Sequence, residues 1–98
     1  MKQSDYPKEL WIGDALWRVK FVRKLQDGRG ILDGLCDPSE TTIYLRMGHD
    51  RAERFKTLVH EILHAIEYEW KLELPHQIIY GMEEPIYRIL VDNGIISA

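Results

Sequence analysis

Two histidines and a glutamate in the stretch His60-Glu61-Ile62-Leu63-His64 are the residues of this chain best suited to chemistry. They form the pattern H-E-x-x-H inside a segment whose apolar residues repeat at helical spacing. Histidines four residues apart lie on one helix face, so both imidazoles can bind the same metal ion. The glutamate beside the first histidine can reach a water molecule on that metal and act as a general base. The sequence therefore predicts one zinc ion per chain, with His60 and His64 as ligands and Glu61 as the catalytic residue.

The third zinc ligand must come from elsewhere, because catalytic zinc usually takes three protein ligands and a water. A histidine six residues after His64 is excluded, since that position is Trp70. Glu83 is the favoured candidate because it borders the apolar stripe of a second predicted helix and would point inward when that helix folds back. Two alternatives stay open: Glu84, which points away from the stripe, and His76, which lies at the junction between the helices.

Other residues have secondary roles in this scheme. The oxyanion of a tetrahedral intermediate needs a further donor, and Tyr80, Tyr87, His76 or an arginine are all candidates. Glu67 is expected to orient a ligand or face solvent. Cys36 is expected to be a small strand residue, not a ligand.

The elements that must position these residues are predicted from turn signals and periodicity. Two strands, Leu10–Ile12 and Ala15–Leu25, are separated by the turn Gly13-Asp14, and two more strands are predicted at 31–36 and 41–45. The 41–45 strand is expected to bind a substrate backbone by strand addition. The fold class expected is α+β: a small, mostly antiparallel sheet of three to four strands packed on two helices, within a single domain spanning residues 1–98.

The first helix is predicted to begin near Asp50, which can form a capping box with Glu53. Its expected core stripe consists of Phe55, Leu58, Val59, Ile62, Leu63 and Ile66. Pro75 marks its end, and the second helix is expected to run from there to Asp92. Pro85 is expected to kink or split this second helix.

Composition limits the classes of function. Hydrophobic content is 45% and charged content 30%, typical of a soluble globular domain. The net charge of −3 makes nucleic acid an improbable partner, and no apolar run is long enough for a membrane span. The single cysteine and the absence of a signal-like apolar region in Met1–Pro7 favour a cytoplasmic setting. The basic segment 18–29 is interpreted as a solvated strand face.

The stretch Gly34-Leu35-Cys36-Asp37, Thr42-Ile43-Tyr44-Leu45 and Thr57-Leu58-Val59-His60-Glu61-Ile62-Leu63-His64-Ala65 resembles the zincin metallopeptidases. Within them it is similar to the small ImmA/IrrE-type and SprT-like proteins, including short phage-encoded ones, over residues 34–94. The resemblance implies a sheet whose edge strand borders an active-site cleft, followed by the active-site helix and a helix that brings a glutamate to zinc. It matches His60 and His64 to the ligand positions, Glu61 to the catalytic glutamate and Glu83 to the third ligand.

The function expected is therefore that of a zinc-dependent peptidase acting on a peptide or protein substrate. Two alternatives remain. One is a non-catalytic, metal-containing binding or regulatory module, and the other is a metal hydrolase with a non-peptide substrate. The oligomeric state is not predicted.

Overall fold

The computed structural model describes residues 6–96, which form a four-stranded sheet, a short separate hairpin and two helices. In chain order the strands are β1 (Glu9–Ile12), β2 (Ala15–Val22), β3 (Gln26–Asp27), β4 (Gly30–Ile31), β5 (Gly34–Asp37) and β6 (Thr42–Arg46), and the helices are α1 (Arg51–Trp70) and α2 (His76–Asp92). The predicted α+β class is confirmed. Residues 1–5 and 97–98 lie outside the described residues. Both stretches belong to the predicted domain 1–98, and residues 1–5 are also part of the N-terminal segment Met1–Pro7. Over residues 6–96, neither helix is long and apolar enough to cross a membrane.

The sheet has the strand order β1-β2-β6-β5 and is mixed. β1 pairs antiparallel with β2, and β5 pairs antiparallel with β6, but the central strands β2 and β6 are parallel. The chain leaves β2, forms the β3–β4 hairpin and β5, and only then returns in β6 along the direction of β2. The predicted number of strands is therefore right, and two of the three strand pairs are antiparallel as expected, while the parallel β2–β6 pair makes the sheet mixed.

The strand at the sheet edge is not the one that the sequence indicated. The predicted strand 41–45 corresponds to β6, which is hydrogen-bonded to β2 on one side and to β5 on the other. It has no free edge, so the prediction that it adds a substrate strand is wrong. In the described sheet, β5 has only β6 as a neighbour and forms one edge, and β1 forms the other. The predicted strand 31–36 is divided between β4 and β5.

The core lies between the sheet and α1. Trp17, Ile43 and Leu45 project from the sheet and are fully buried against apolar residues of α1 such as Leu58 and Ala65. A second apolar cluster joins the two helices and consists of Val59, Leu63 and Ile79. Because α1 is covered by the sheet on one side and by α2 on another, polar residues between these contacts also become buried.

The boundaries of α1 follow from local backbone chemistry. Asp50 accepts a hydrogen bond from the backbone N–H of Glu53 at 2.9 Å, which confirms the predicted N-terminal cap. The helix ends at Trp70, earlier than Pro75, because Lys71 adopts a left-handed conformation (φ 54°) and its N–H bonds the carbonyls of the last turn. A short connection then leads to α2.

The second helix is continuous from His76 to Asp92, which agrees with the predicted range from near Pro75 to Asp92. Pro85 lies inside it and neither splits it nor ends it. Ile79 and Tyr87 are the buried residues of this helix, so its packed face is turned toward α1.

Candidate metal centre

The two histidines of the H-E-x-x-H motif lie side by side on α1. Their Nε2 atoms are 3.2 Å apart, and both side chains are only partly buried. Burial, followed by the neighbouring His64 and His76, lowers the pKa of His60 to about 4. His60 is therefore neutral at physiological pH, which is the form that binds a metal.

A third imidazole completes the group. His76 is the first residue of α2, and its Nε2 lies 3.1 Å from Nε2 of His64. Ligand atoms of His60, His64 and His76 all lie within 4.8 Å of one another. Zn–N bonds of about 2.0–2.1 Å at tetrahedral angles place two nitrogen ligands about 3.3 Å apart. Both closest Nε2 pairs agree with that spacing, so the three histidines lie close enough together to bind a metal ion.

Glu67 contacts both His64 of the motif and Leu74 in the segment that connects the two helices. Its Oε1 lies 2.8 Å from Nδ1 of His64, and its Oε2 accepts the backbone N–H of Leu74 at 2.8 Å. Partial burial acts to raise the pKa of Glu67, but the hydrogen bonds from Leu74 and His64 outweigh it and lower the pKa. The carboxylate thus directs Nε2 of His64 toward His76 and fastens the chain two residues before His76.

Glu83 is brought to the histidine group, where it lies on the Nδ1 side of His60. Its Oε1 lies 2.7 Å from Nδ1 of His60, while Nε2 of the same ring faces the other histidines. This is the position from which a carboxylate fixes the tautomer of a metal-binding histidine. Glu84, the other glutamate considered as a ligand, is exposed and pairs with Lys56 at 2.8 Å, away from the three histidines. The three-histidine group therefore includes the alternative His76 in place of Glu83.

The catalytic candidate Glu61 is almost completely buried, with 6% of its surface exposed. Burial, and secondarily the charge of Glu83, raises the pKa of the Glu61 carboxyl to about 7, while Arg29 acts in the opposite direction. Gly34 on β5 packs so closely that a Cβ there would lie 3.0 Å from Oε2 of Glu61. The edge strand thus covers the carboxylate and confines it to the cleft.

The cleft itself has a volume of about 680 Å³ and contains the three histidines, Glu61, Glu67 and Glu83. One wall is β5 with the preceding hairpin, and the other is formed by α1 and the start of α2. Tyr80 lines this cleft, and its ring centroid is 4.9 Å from that of His60. Tyr87 is buried in the core, so of the two tyrosines considered as oxyanion donors only Tyr80 is placed to act. Burial raises the pKa of the Cys36 thiol on β5 to about 12, so it is protonated at neutral pH.

The sequence indicates which residues belong to the H-E-x-x-H motif and lie near it. It does not indicate which of the neighbouring residues would bind a metal. Glu67 follows His64 by three residues, a spacing that places the two side chains together on a helix, and this signal was present in the sequence. No feature of the local sequence distinguishes a glutamate that would hydrogen-bond Nδ1 of a metal-binding histidine from a glutamate that would itself bind the metal. The chain matches no protein-family model, no curated protein and no solved structure.

Proposed function

We propose that this protein is a zinc-dependent metallopeptidase in which His60, His64 and His76 hold one zinc ion and Glu61 is the general base. The observation that carries the proposal is the convergence of three Nε2 atoms beside a buried carboxylate in an open cleft. The motif residues His60, Glu61 and His64 support the resemblance to the small zincins of the ImmA/IrrE and SprT-like type, while the third ligand proposed here is His76 and not the glutamate that the resemblance implies. A zinc site that is purely structural would more often be closed by four cysteine or histidine ligands.

When bound, zinc supplies a Lewis acid that polarises a carbonyl and makes a water acidic. Glu61 accepts the proton of the attacking water at its carboxylate and passes it to the departing amine nitrogen. Tyr80 is the proposed donor to the oxyanion, since its ring centroid lies 4.9 Å from that of His60 and 5.4 Å from that of His76 at the cleft wall.

A peptide is the substrate class that the cleft wall favours. β5 is a sheet edge, and its residues Gly34 to Cys36 line the cleft next to Glu61. An extended peptide can add to such an edge through main-chain hydrogen bonds, which brings its backbone past the catalytic carboxylate. The single cysteine fits a reducing compartment, and we place the activity in the cytoplasm on that ground.

The test compares the wild-type protein with Glu61→Gln, His60→Ala and His76→Ala after zinc loading. Cleavage of denatured casein and of a synthetic peptide pool is followed by mass spectrometry, and zinc content is measured by elemental analysis. We expect Glu61→Gln to retain about one zinc per chain but to lose hydrolysis by at least about a hundredfold, because it removes the base and keeps the ligands. Both histidine variants should lose zinc.

Glu53→Gln serves as the matched control, since Glu53 is an exposed glutamate in the first turn of the same helix. It should cleave like the wild type. Hydrolysis by Glu61→Gln at the wild-type rate would refute the mechanism, and equal zinc content in all variants would refute the site. Zinc binding without cleavage of any peptide would instead favour a docking module or a hydrolase of another substrate class.

A further inference from the structure

We propose that two copies of this protein associate through the free edge of β1, which joins their two four-stranded sheets into one. In the described sheet β1 has only β2 as a neighbour, so its other side offers main-chain groups to a further strand. The residues along this edge fit a second copy of the same edge. None of the residues of β1 lines the histidine cleft, so the inference does not depend on the proposed function.

The hydrogen bonds between β1 and β2 determine which residues can pair with a further strand. The backbone N–H of Val19 donates to the carbonyl of Lys8 at 2.9 Å, so these two residues form a hydrogen-bonded pair. In an antiparallel ladder such pairs alternate along the strand. Residues of β1 at even positions therefore face β2. Glu9 and Trp11, at odd positions, turn their N–H and C=O groups away from β2 toward the free edge.

Two-fold symmetry leaves few registers for a strand that pairs antiparallel with its own copy. Because Glu9 and Trp11 carry the outward groups, odd positions must pair with odd positions. With Trp11 on the symmetry axis, Trp11 pairs with its own copy and Glu9 pairs with Gly13, so both outward residues gain a main-chain partner. Leu10 then lies opposite Ile12 of the second copy, on the face of the sheet that packs against α1.

The charges at the ends of β1 favour this register. Lys8 falls opposite Asp14 of the second copy, and the symmetry makes this pair occur twice. Both residues are exposed, and neither forms an ion pair within residues 6–96. Opposite charges on directly paired residues stabilise a sheet. The other register that pairs odd positions is centred on Leu10 and would place Lys8 opposite the apolar Ile12, without a charge partner.

The residue on the symmetry axis is an exposed tryptophan. Trp11 alternates with the buried Ile12, so its side chain lies on the sheet face opposite the helices, where 70% of it is exposed. Its partner across β2 is Leu16, which is also exposed on this face. Pairing would bring the two indoles together, with a leucine beside each. The association would therefore remove a group of large apolar side chains from water.

The size of the edge determines the strength of the association. An edge of four residues forms a small interface, so the dissociation constant should be on the order of 10–100 µM. The cleft strand β5 lies at the far edge of each sheet. The two clefts would thus lie at opposite ends of the joined sheet, and the association would leave both open.

Sedimentation velocity over protein concentrations that span this range provides the first test. The wild type should change from monomer to dimer as its concentration rises. Trp11→Lys places two cations on the symmetry axis and should weaken the association by at least about tenfold. Ile89→Lys is the matched control, because Ile89 is an exposed apolar residue of α2, which has no place in this interface, so the association should not change. Circular dichroism would confirm that both variants keep the fold.

A charge exchange tests the register. Lys8→Asp and Asp14→Lys each place like charges opposite each other, and each should weaken the association by about threefold to tenfold. The two substitutions change the net charge in opposite directions, so a common effect cannot come from net charge. The double variant restores opposite charges and should associate within about twofold of the wild type.

A disulfide gives an independent measure of the register. In a Cys36→Ala background, Trp11→Cys places two thiols on the axis, where Cα atoms should lie about 5.5 Å apart, a distance that a disulfide spans. Mild oxidation should therefore produce a covalent dimer. Glu9→Cys is the control on the same strand and face, because it would lie four residues out of register with its own copy, about 13 Å away. It should remain largely monomeric.

The outcomes decide the proposal without use of zinc or of cleavage. Association that is lost in Trp11→Lys, kept in Ile89→Lys and recovered in the charge-exchanged double variant would support it. A wild type that stays monomeric at every concentration would overturn it, as would association that is insensitive to Trp11→Lys. Loss of association in Ile89→Lys would also overturn it, because the contact would then belong to α2. Equal oxidation of Trp11→Cys and Glu9→Cys would overturn the register.

Discussion

Each histidine of the motif uses its two ring nitrogens for different contacts. Nε2 faces the other histidines, while Nδ1 lies within 2.8 Å of a carboxylate, Glu67 for His64 and Glu83 for His60. A carboxylate at Nδ1 selects the tautomer with the lone pair on Nε2, raises its basicity and fixes the ring plane. The two carboxylates therefore hold the ring nitrogens that point away from the histidine group, and leave the Nε2 atoms facing one another.

Removal of a zinc ligand and removal of a carboxylate that orients a ligand should lower the zinc affinity by different amounts. His76→Ala should lower affinity the most, because it removes one of three Nε2 donors. Glu83→Ala should lower it by about 10–100-fold, the usual effect of losing a carboxylate that orients a ligand. Glu84→Ala should leave it unchanged, because Glu84 contacts Lys56 on the surface.

Competition with a chromogenic chelator would measure the three variants under identical conditions. A larger loss in Glu83→Ala than in His76→Ala would restore Glu83 as the third ligand, as the sequence first indicated. Circular dichroism would confirm that each variant retains its helices.

At the scale of elements, the contact between β5 and α1 positions the base. Gly34 is the point of closest approach, since a Cβ there would come within 2.6 Å of Thr57 Cγ2 and 3.0 Å of Glu61 Oε2. The edge strand can lie against the helix only because this position has no side chain. The same close approach confines the Glu61 carboxylate between strand and helix.

Gly34→Ala should destabilise the fold by about 1–3 kcal/mol, as overpacking of a close contact does, and should reduce hydrolysis by displacing Glu61. Gly28→Ala is the control, because a Cβ at Gly28 has nothing within 4 Å. Thr57→Ser removes the nearest methyl group and should restore part of the stability of Gly34→Ala. Urea denaturation of the wild type, Gly34→Ala, Gly28→Ala and the double variant Gly34→Ala/Thr57→Ser gives the measurement. Equal unfolding midpoints for Gly34→Ala and Gly28→Ala would contradict the close contact at Gly34.

At the scale of the molecule, the histidine group joins two helices that also meet through a small apolar cluster and through the pairs His60–Glu83 and Lys56–Glu84. His60 and His64 belong to α1 and His76 begins α2, so a metal bound by all three ties the helices together. The connecting segment is held by the Glu67 contact to Leu74. Metal binding and the docking of α2 should therefore be thermodynamically linked.

Zinc at a hundred times its dissociation constant should stabilise the native state by about 2.7 kcal/mol. For a domain of this size that corresponds to a rise in Tm on the order of 10 °C. Addition of EDTA should reverse the rise, and His76→Ala should show much less of it at the same zinc concentration. A wild-type Tm that does not respond to zinc would argue against a site shared by the two helices.

What the sequence determined was the local part of the site. The i, i+4 spacing of His60 and His64 fixes their common face once the segment is helical, and Asp50 fixes where that helix begins. The same spacing predicts a second helix from near Pro75 to Asp92 and an inward-facing Glu83. These features depend on periodicity and capping within a few residues, so no knowledge of distant contacts was needed.

The tertiary structure decided which distant groups meet the motif. His76 reaches His64 because Lys71 ends α1 in a left-handed turn and Glu67 holds Leu74, which together set the direction of the chain into α2. Glu83 points inward as expected but meets Nδ1 of His60, and only the packing of α2 on α1 determines which side of a ring a carboxylate approaches. The edge position of β5 likewise depends on strand order, because β2 pairs with one side of β6 and β5 pairs with the other, which leaves β5 at the sheet edge beside Glu61.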